Sequence, residues 1–266
     1  MEASLGRRLA AEFVGTALLV LFGAGSVVGA LTLGGGELSY AGLGFIALAF
    51  AVVIAVVVYG FGPISGAHIN PAVTFSLAVS RVFSWAETVP YVVAQLTGGA
   101  AGGLLIVAAF GTDAADLGGV GGTALGEGVS YGSGIVAEAI GTFLLVFTVM
   151  ALAVDPRAPQ GWAGLMIGLS VACAIFVIGP LTGGSLNPAR TFGPNVAAEI
   201  FGGSVSWSQF PLYWIGPFIG GAVAVLVYQL VARPHREAPS AEDATGGAVD
   251  AESTSELRAP GRSEQS

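Results

Sequence analysis

The chain has 266 residues, of which 54% are hydrophobic and only 10% are charged. A soluble domain usually carries about 25% charged residues, so this chain has too few to cover a globular surface. The formal charge of −8 argues against a nucleic-acid partner, and a single cysteine excludes an intrachain disulfide framework or a zinc-ribbon cluster. The composition therefore indicates a polytopic membrane protein, and we predict no metal or cofactor site.

Six stretches are apolar and close to the ~20 residues that cross a ~30 Å hydrocarbon core. These predicted spans are about Leu9–Thr32, Ala41–Phe61, Trp85–Ala109, Ile135–Val154, Trp162–Gly179 and Phe210–Ala232. The first run is longer than the core of a signal peptide and contains Glu12, so we expect it to be retained. From Arg233 large apolar residues are almost absent, and residues 233–266 are predicted to form a disordered tail. Residues 1–232 would form the membrane domain.

The arginines predict the orientation of these spans, because the chain has no lysine. Connections on one side of the predicted membrane carry most of them, namely Arg7, Arg8, Arg81, Arg157, Arg233 and Arg236. The connections on the other side are mainly acidic, with Arg190 as their one basic residue. The positive-inside rule then places both termini in the cytoplasm of a multi-pass protein of the cell membrane.

Three segments of the first half recur, in the same order, in the second half. Ala11–Val20 recurs as Ala137–Val146, His68–Phe75 as Ser185–Phe192, and Tyr91 with Gly98-Gly99-Ala100 as Tyr213 with Gly220-Gly221-Ala222. Each half holds three spans, an odd number, so the second half must be inverted relative to the first. We expect repeat one at about 5–110 and repeat two at about 133–232, with the functional site near the midplane between them.

Each repeat carries an Asn-Pro-Ala segment that predicts the start of a helix, since Asn is a favoured N-cap and Pro is favoured at the first helical position. Asn70 would begin a helix of about ten residues ending near Ser80, which covers about half of the hydrocarbon core. Asn187 would begin a similar helix from the opposite side, and Pro194 is expected to shorten or kink it. The predicted fold class is therefore all-α, with six transmembrane helices and two re-entrant half-helices.

The two half-helices would meet at their N-termini, where the positive ends of their dipoles converge. Each Asn oxygen would cap its own helix, leaving the amide hydrogens free to donate toward a lumen. A water molecule that accepts from both Asn70 and Asn187 cannot also pass a proton along a single file, and the positive field repels cations.

The extended chain before each helix is tolerated at membrane depth only where it lines a cavity or is buried in protein. We expect its lining residues to be Gly66, Ala67, His68, Gly183 and Ser185.

The chain resembles the aquaporin (major intrinsic protein) family over about residues 5–232. The resemblance rests on three motifs: Ala11–Thr16, Ser65–Thr74 with Asn70-Pro71-Ala72 inside it, and Asn187-Pro188-Ala189-Arg190. It implies a passive channel that conducts water in single file while excluding protons and ions, without enzymatic activity. It also implies a homotetramer with one pore in each subunit.

The resemblance places the selectivity filter at Phe50, Ile175, Gly184 and Arg190. Strict water channels have a histidine where this chain has Ile175, and Gly184 adds no side chain, so the expected aperture is wider and more apolar. Other positions favour water. Glycerol facilitators typically carry an aspartate and a lysine where this chain has Thr191 and Asn195. Water is therefore the leading substrate, with leakage of other small neutral solutes as an open alternative.

Two carboxylates inside predicted spans, Glu12 and Glu138, need an explanation because charge at membrane depth is expensive and usually functional. The resemblance implies that they accept hydrogen bonds from backbone N–H groups of the re-entrant loops. Ser65 and His68 could suggest a hydrolase, but no carboxylate is placed to orient the histidine. His68 is instead expected to line the cytoplasmic half of the pore.

Three other functions remain to be weighed against a water channel. A glycerol or small-solute facilitator is favoured by Ile175 and Gly184. An ion-coupled secondary transporter also fits inverted repeats with broken helices. Against that reading, both facing helix ends are positive, and no carboxylate within the spans is left to bind a cation. A receptor or scaffold would use the acidic tail, which carries no recognisable motif.

Overall fold

The computed structural model describes residues 3–232, so the expected tail at 233–266 lies outside the described residues. Within the described part, six helices are long and apolar enough to cross a membrane. These spans one to six are Leu5–Leu33, Tyr40–Ser65, Trp85–Phe110, Tyr131–Val154, Ala163–Thr182 and Trp207–Val231. The predicted fold class is confirmed.

Most spans extend a few residues beyond their apolar stretch, and serine caps explain part of this. Ser39 accepts a hydrogen bond from the backbone N–H of Gly42, and Ser130 accepts one from Ser133, which starts spans two and four earlier than apolarity alone indicates. Ser84 caps span three in the same way. Span six begins with a short 3-10 turn, Trp207–Gln209, before its helix Leu212–Val231.

Spans one and four each contain a π-helical segment that the sequence pattern does not predict. In span one, Leu19–Ala24 separates the α-helices Leu5–Leu18 and Gly25–Leu33. In span four, Met150–Val154 follows the α-helix Tyr131–Val149. Single π turns inside α-helices occur often at functional sites, and Leu19, Ala153 and Val154 do line the cavity described below.

The two half-helices are Pro71–Val79 and Pro188–Ile200. Asn70 caps the first by accepting from the Ala72 N–H at 2.8 Å, and Asn187 caps the second by accepting from the Ala189 N–H at 2.9 Å. The expected shortening at Pro194 is wrong, because the second half-helix has 13 residues and continues to Ile200. Gly193 packs backbone to backbone on Gly99 of span three, which supports the helix beside the proline.

Contacts between the ends of the spans define two faces of the bundle. On one, the Arg8 face, Arg8 pairs with Glu87 at 2.8 Å and Tyr59 donates to the Gly161 carbonyl at 2.8 Å. On the other, the Gln209 face, Gln209 accepts from the Leu125 N–H at 2.9 Å. The first half-helix runs from the middle of the bundle toward the Arg8 face, and the second runs toward the Gln209 face.

Glycines let spans approach closely at repeat-related positions. A Cβ on Gly98 of span three would lie 2.2 Å from the carbonyl oxygen of Phe13 in span one. In the second repeat, a Cβ on Gly220 of span six would lie 2.0 Å from the carbonyl oxygen of Ala139 in span four. Small residues at such crossings are the usual means of packing helices in membranes.

Two buried carboxylates hold the loops that precede the half-helices. Glu12 of span one accepts from Ser65 Oγ at 2.7 Å and from the backbone N–H groups of His68 at 2.9 Å and Ile69 at 2.7 Å. Its fourth donor is Gln95 Nε2 at 2.8 Å. These hydrogen bonds anchor the loop before the first half-helix to spans one and three.

Glu138 of span four repeats the arrangement in the second half. It accepts from Thr182 Oγ1 at 2.6 Å and from the backbone N–H groups of Ser185 at 2.9 Å and Leu186 at 2.6 Å. Both carboxylates are fully buried. Without them, four loop N–H groups would lie at membrane depth without acceptors, which is costly.

We expect Gly220→Ala to lower the free energy of unfolding by about 1–3 kcal/mol, because the new methyl group forces apart two backbones that cannot deform locally. Gly60→Ala is the matched control, since a Cβ there meets nothing within 4 Å. The measurement is denaturant unfolding in mixed micelles. Equal stability of the two variants would show that the crossing of spans four and six is not this tight.

We expect Glu138→Gln to lower the free energy of unfolding by at least about 2 kcal/mol, since hydrogen bonds to a charged acceptor are replaced and one amide hydrogen meets a donor. Glu127→Gln, in an exposed position of the connection before span four, serves as the control. The same unfolding titration measures both. A Glu138→Gln protein as stable as the control would contradict the suspending role of this carboxylate.

Candidate pore

A cavity of about 210 Å³ passes the two half-helix tips, with Arg190 toward one end and Val82 and Val154 toward the other. Its polar wall is formed by the two loops and the half-helix starts: Gly66, Ala67, His68, Ile69, Asn70, Ser185, Leu186, Asn187 and Arg190. The remaining wall is mostly aliphatic and comes from spans one, two, four and five and the first half-helix, including Leu19, Ile54, Val73, Leu145, Val149 and Val171. A few polar groups thus face an apolar surface across a narrow space.

The two asparagines are bound to each other's loops. Asn70 Nδ2 donates to the carbonyl oxygen of Leu186 at 2.9 Å, and Asn187 Nδ2 donates to the carbonyl oxygen of Ile69 at 2.9 Å. The expectation that both amide hydrogens of each asparagine are free is therefore wrong. One hydrogen of each amide is used within the protein, which leaves one per asparagine for a molecule in the cavity.

Backbone strain accompanies this exchange. Ile69 has φ of 44° and Leu186 has φ of 57°, a left-handed region that β-branched and bulky residues rarely adopt. The carbonyl groups of these same two residues accept the hydrogen bonds from the asparagine side chains of the opposite repeat. Strained backbone of this kind persists only where surrounding contacts fix it, and here the carboxylates and asparagines do so.

Arg190 lies on the cavity wall at the end toward the Gln209 face. Its side chain is 2% exposed, its Nη1 donates to the carbonyl oxygen of Gly121 at 2.8 Å, and its guanidinium carbon lies 5.0 Å from the centre of the Phe50 ring. Within residues 3–232 its Nε has no hydrogen-bond partner. This end of the cavity therefore combines a fixed positive charge, an aromatic face and an unused donor.

The other two predicted filter residues, Ile175 and Gly184, contact each other. A Cβ on Gly184 would lie 3.2 Å from Ile175 Cγ1, and both residues lie outside the wall of the 210 Å³ cavity, as does Gly183. The structure thus brings Phe50 and Arg190 together on the wall and packs Ile175 against Gly184 separately.

The carbonyl that holds Arg190 was not identified from the sequence. It belongs to a glycine-rich turn in the connection between spans three and four, where Gly118, Gly119 and Gly121 all have positive φ and Val120 has φ of 57°. The run of glycines in the sequence signals a tight turn. Nothing local indicates that this turn reaches an arginine 69 positions further along the chain.

At the Arg8 face the cavity wall is formed by Val58, Val82, Ala153 and Val154. The connection that follows is fixed to span six, because Tyr228 donates to Asp155 Oδ2 at 2.6 Å. The Arg157 guanidinium, with that hydroxyl and the Arg157 backbone N–H, holds the pKa of the Asp155 carboxyl well below its ordinary value. Asp155 is therefore ionised at neutral pH and keeps this end of the wall in place.

Comparison with known proteins agrees with this geometry. The family model described as "Major intrinsic protein" matches residues 1–228. The protein "Aquaporin AqpM" of Methanothermobacter marburgensis is 47% identical over 239 residues, which cover 85% of this chain and 97% of that protein. "Probable aquaporin AqpM" of Archaeoglobus fulgidus is 47% identical over 246 residues, covering 88% of this chain and 100% of that protein.

Among solved structures, the "X-ray structure of the aquaglyceroporin from Plasmodium falciparum" matches with a TM-score of 0.77 and 24% identity. The match covers 87% of this chain and 98% of that one, and it shows a shared fold. Since the family model spans nearly all of the described residues and the archaeal relatives match over almost their full length, this chain belongs to the major intrinsic protein family and is a multi-pass membrane protein.

Proposed function

We propose that this chain is a passive water channel in which molecules pass in single file between Asn70 and Asn187. The observation that carries the proposal is a cavity whose wall contains both asparagines and Arg190. The relatives named aquaporins, at 47% identity, support it.

The geometry accounts for the exclusion of protons and cations. The two helix N-termini each carry about half a unit of positive charge, and Arg190 adds a full charge at one end of the cavity. A water molecule between the tips accepts from the remaining hydrogens of Asn70 and Asn187. With its oxygen so engaged, it cannot accept a proton from its neighbour, and positive helix ends of this kind are a known barrier to protons and cations.

The Arg8 face is the cytoplasmic face in this proposal. Arg7, Arg8, Arg81 and Arg157 belong to the connections there, and the positive-inside rule places such a surface in the cytoplasm together with both termini. We assign the channel to residues 1–232, with repeats at about 5–110 and 133–232, in the cell membrane. By family resemblance the assembly is a homotetramer with one pore per subunit, and the chain is a channel rather than an enzyme.

Osmotic flux tests the proposal directly. We expect proteoliposomes carrying the purified protein to shrink faster than empty liposomes in stopped-flow light scattering, with a low activation energy. Planar bilayers containing the protein should show no conductance. A water permeability equal to that of empty liposomes, or a flux that needs an ion gradient, would overturn the proposal.

A second candidate, a facilitator of glycerol and other small neutral solutes, is favoured by one specific observation. Ile175 and Gly184 pack against each other and present no polar side chain or imidazole. Both residues lie outside the wall of the 210 Å³ cavity, so this candidate requires the path to continue past them, where apolar contacts suit the carbon backbone of a polyol. The flux assay decides between the two, because a glycerol permeability comparable with that of water would favour the facilitator.

We expect Ile175→His to lower the ratio of glycerol to water permeability about tenfold while water still passes. The imidazole replaces apolar surface with a polar group, and contacts of this size discriminate substrates by roughly 1–3 kcal/mol. Ile175→Leu, which keeps the site apolar, is the matched control. If Ile175→His leaves the ratio at the control value, Ile175 does not contribute to the filter.

A further inference from the structure

The imidazole of His68 lies on the cavity wall between the asparagine pair and the Arg8 face. Its ring packs on the edge of Phe83 at 4.7 Å between centroids and on Tyr91 at 5.2 Å, so its orientation is fixed. Gly66 makes room for it, because a Cβ at that position would lie 3.0 Å from His68 Nε2. In the neutral imidazole one ring nitrogen carries the hydrogen and the other is an acceptor.

The hydrogen bonds around Thr74 determine which ring nitrogen carries the hydrogen. Thr74 Oγ1 lies 3.1 Å from the carbonyl oxygen of Asn70, 2.8 Å from Gln95 Nε2 and 3.2 Å from His68 Nδ1. A hydroxyl has one hydrogen to donate and two lone pairs to accept with. The carbonyl can only accept, so Thr74 donates to it. Gln95 can only donate through Nε2, which fills one lone pair and leaves the other for a hydrogen on His68 Nδ1.

Glu12 fixes the orientation of the Gln95 amide. Gln95 Nε2 lies 2.8 Å from Glu12 Oε2, and turning the amide over would bring two acceptors together. The Gln95 carbonyl oxygen is buried and has no hydrogen-bond partner within residues 3–232. Gln95 therefore acts through the two hydrogens of its amide, donating one to Glu12 and the other to Thr74.

The second ring nitrogen of His68 is unused by the protein. In the described part of the chain Nε2 has no hydrogen-bond partner, and it is not among the partnerless atoms that are fully enclosed, so it is open to the cavity that His68 lines. The repeat-related residue Ser185 differs. Its hydroxyl bonds to Thr191 Oγ1 at 2.6 Å, to the Asn187 carbonyl at 2.9 Å and to the Asn187 N–H at 3.3 Å, so its hydrogen and lone pairs are all used.

We propose that Thr74 and Gln95 are positioning residues that hold His68 with its hydrogen on Nδ1, so that the Nε2 lone pair faces the pore as a fixed acceptor. The inference rests on the proposed channel function and deepens it. A permeating molecule must accept hydrogen bonds at the asparagine pair and donate one at His68. The site therefore favours neutral solutes that carry an O–H or N–H group, and it orients a water molecule there with a hydrogen toward the Arg8 face.

Nitrogen NMR of a single labelled imidazole tests the proposal. The chain has two histidines, and His235→Gln removes the one outside the described residues, leaving His68 alone. With ¹⁵N-histidine in lipid bilayers at neutral pH, we expect the one-bond hydrogen coupling on Nδ1 and none on Nε2. A hydrogen on Nε2 in this parent protein overturns the proposal, whatever the variants show.

Thr74→Val and Thr74→Ser separate positioning from packing. Valine keeps the volume but removes the acceptor, so we expect the Nε2–H form to appear, whereas serine should retain the Nδ1–H form. Thr74→Ala removes the same acceptor with a smaller side chain and serves as the second variant if the valine variant does not fold. An unchanged Nδ1–H signal in both Thr74→Val and Thr74→Ala would overturn the positioning role.

The flux assay connects the tautomer with permeation. We expect the water permeability of Thr74→Val to fall about fivefold relative to Thr74→Ser, the rate equivalent of one neutral hydrogen bond. Equal permeability of the two variants despite a changed tautomer would overturn the role of Nε2 as a pore acceptor. Absence of water flux in the parent would instead count against the proposed channel function and leave the tautomer result standing.

Discussion

The architecture depends on satisfying loop backbone at membrane depth, where water cannot supply hydrogen bonds. Two devices do this together. Glu12 and Glu138 accept from the loop N–H groups, and each asparagine donates to the carbonyl of the opposite loop. Among the described residues, only Asn187 donates to the carbonyl of Ile69 and only Asn70 to that of Leu186, so neither repeat completes its own loop. The pore and the interface between the repeats are therefore the same structure.

The repeats share this frame but differ in how their threonines are supported. Thr74 is bonded by Gln95 of span three, four residues after Tyr91. Four residues after the matching Tyr213 stands Pro217, which has no side-chain donor. Thr191 is instead bonded by Thr123 at 2.8 Å, from the same connection that supplies the Gly121 carbonyl to Arg190. Thr74 is thus held by a side chain of span three, whereas Thr191 is held by a side chain of the connection between spans three and four.

Local signals in the sequence were sufficient for the spans and for both half-helix starts, because apolar length and Asn-Pro capping act within a few residues. They were insufficient for Pro194, where packing of Gly193 on span three outweighs the proline, and for the π turns in spans one and four. The partners of the asparagine amides and of Arg190 also escaped prediction. Those bonds join residues 116, 118 and 69 positions apart, so only the folded chain brings them together.

The polar groups that line the cavity differ in how firmly the protein holds them, and this difference bears on which solutes the pore selects. Both asparagines donate to the opposite loop, so replacing either one would leave a loop carbonyl without its donor at membrane depth. His68 is held from behind by two buried side chains. Arg190, by contrast, donates to a carbonyl of a glycine turn, and its Nε has no partner in the part of the chain that the structure describes. The Arg190 end is therefore where the structure leaves room to adjust the selection of solutes, since the glycine turn that holds Arg190 supplies none of the hydrogen bonds by which Glu12 and Glu138 hold the loops.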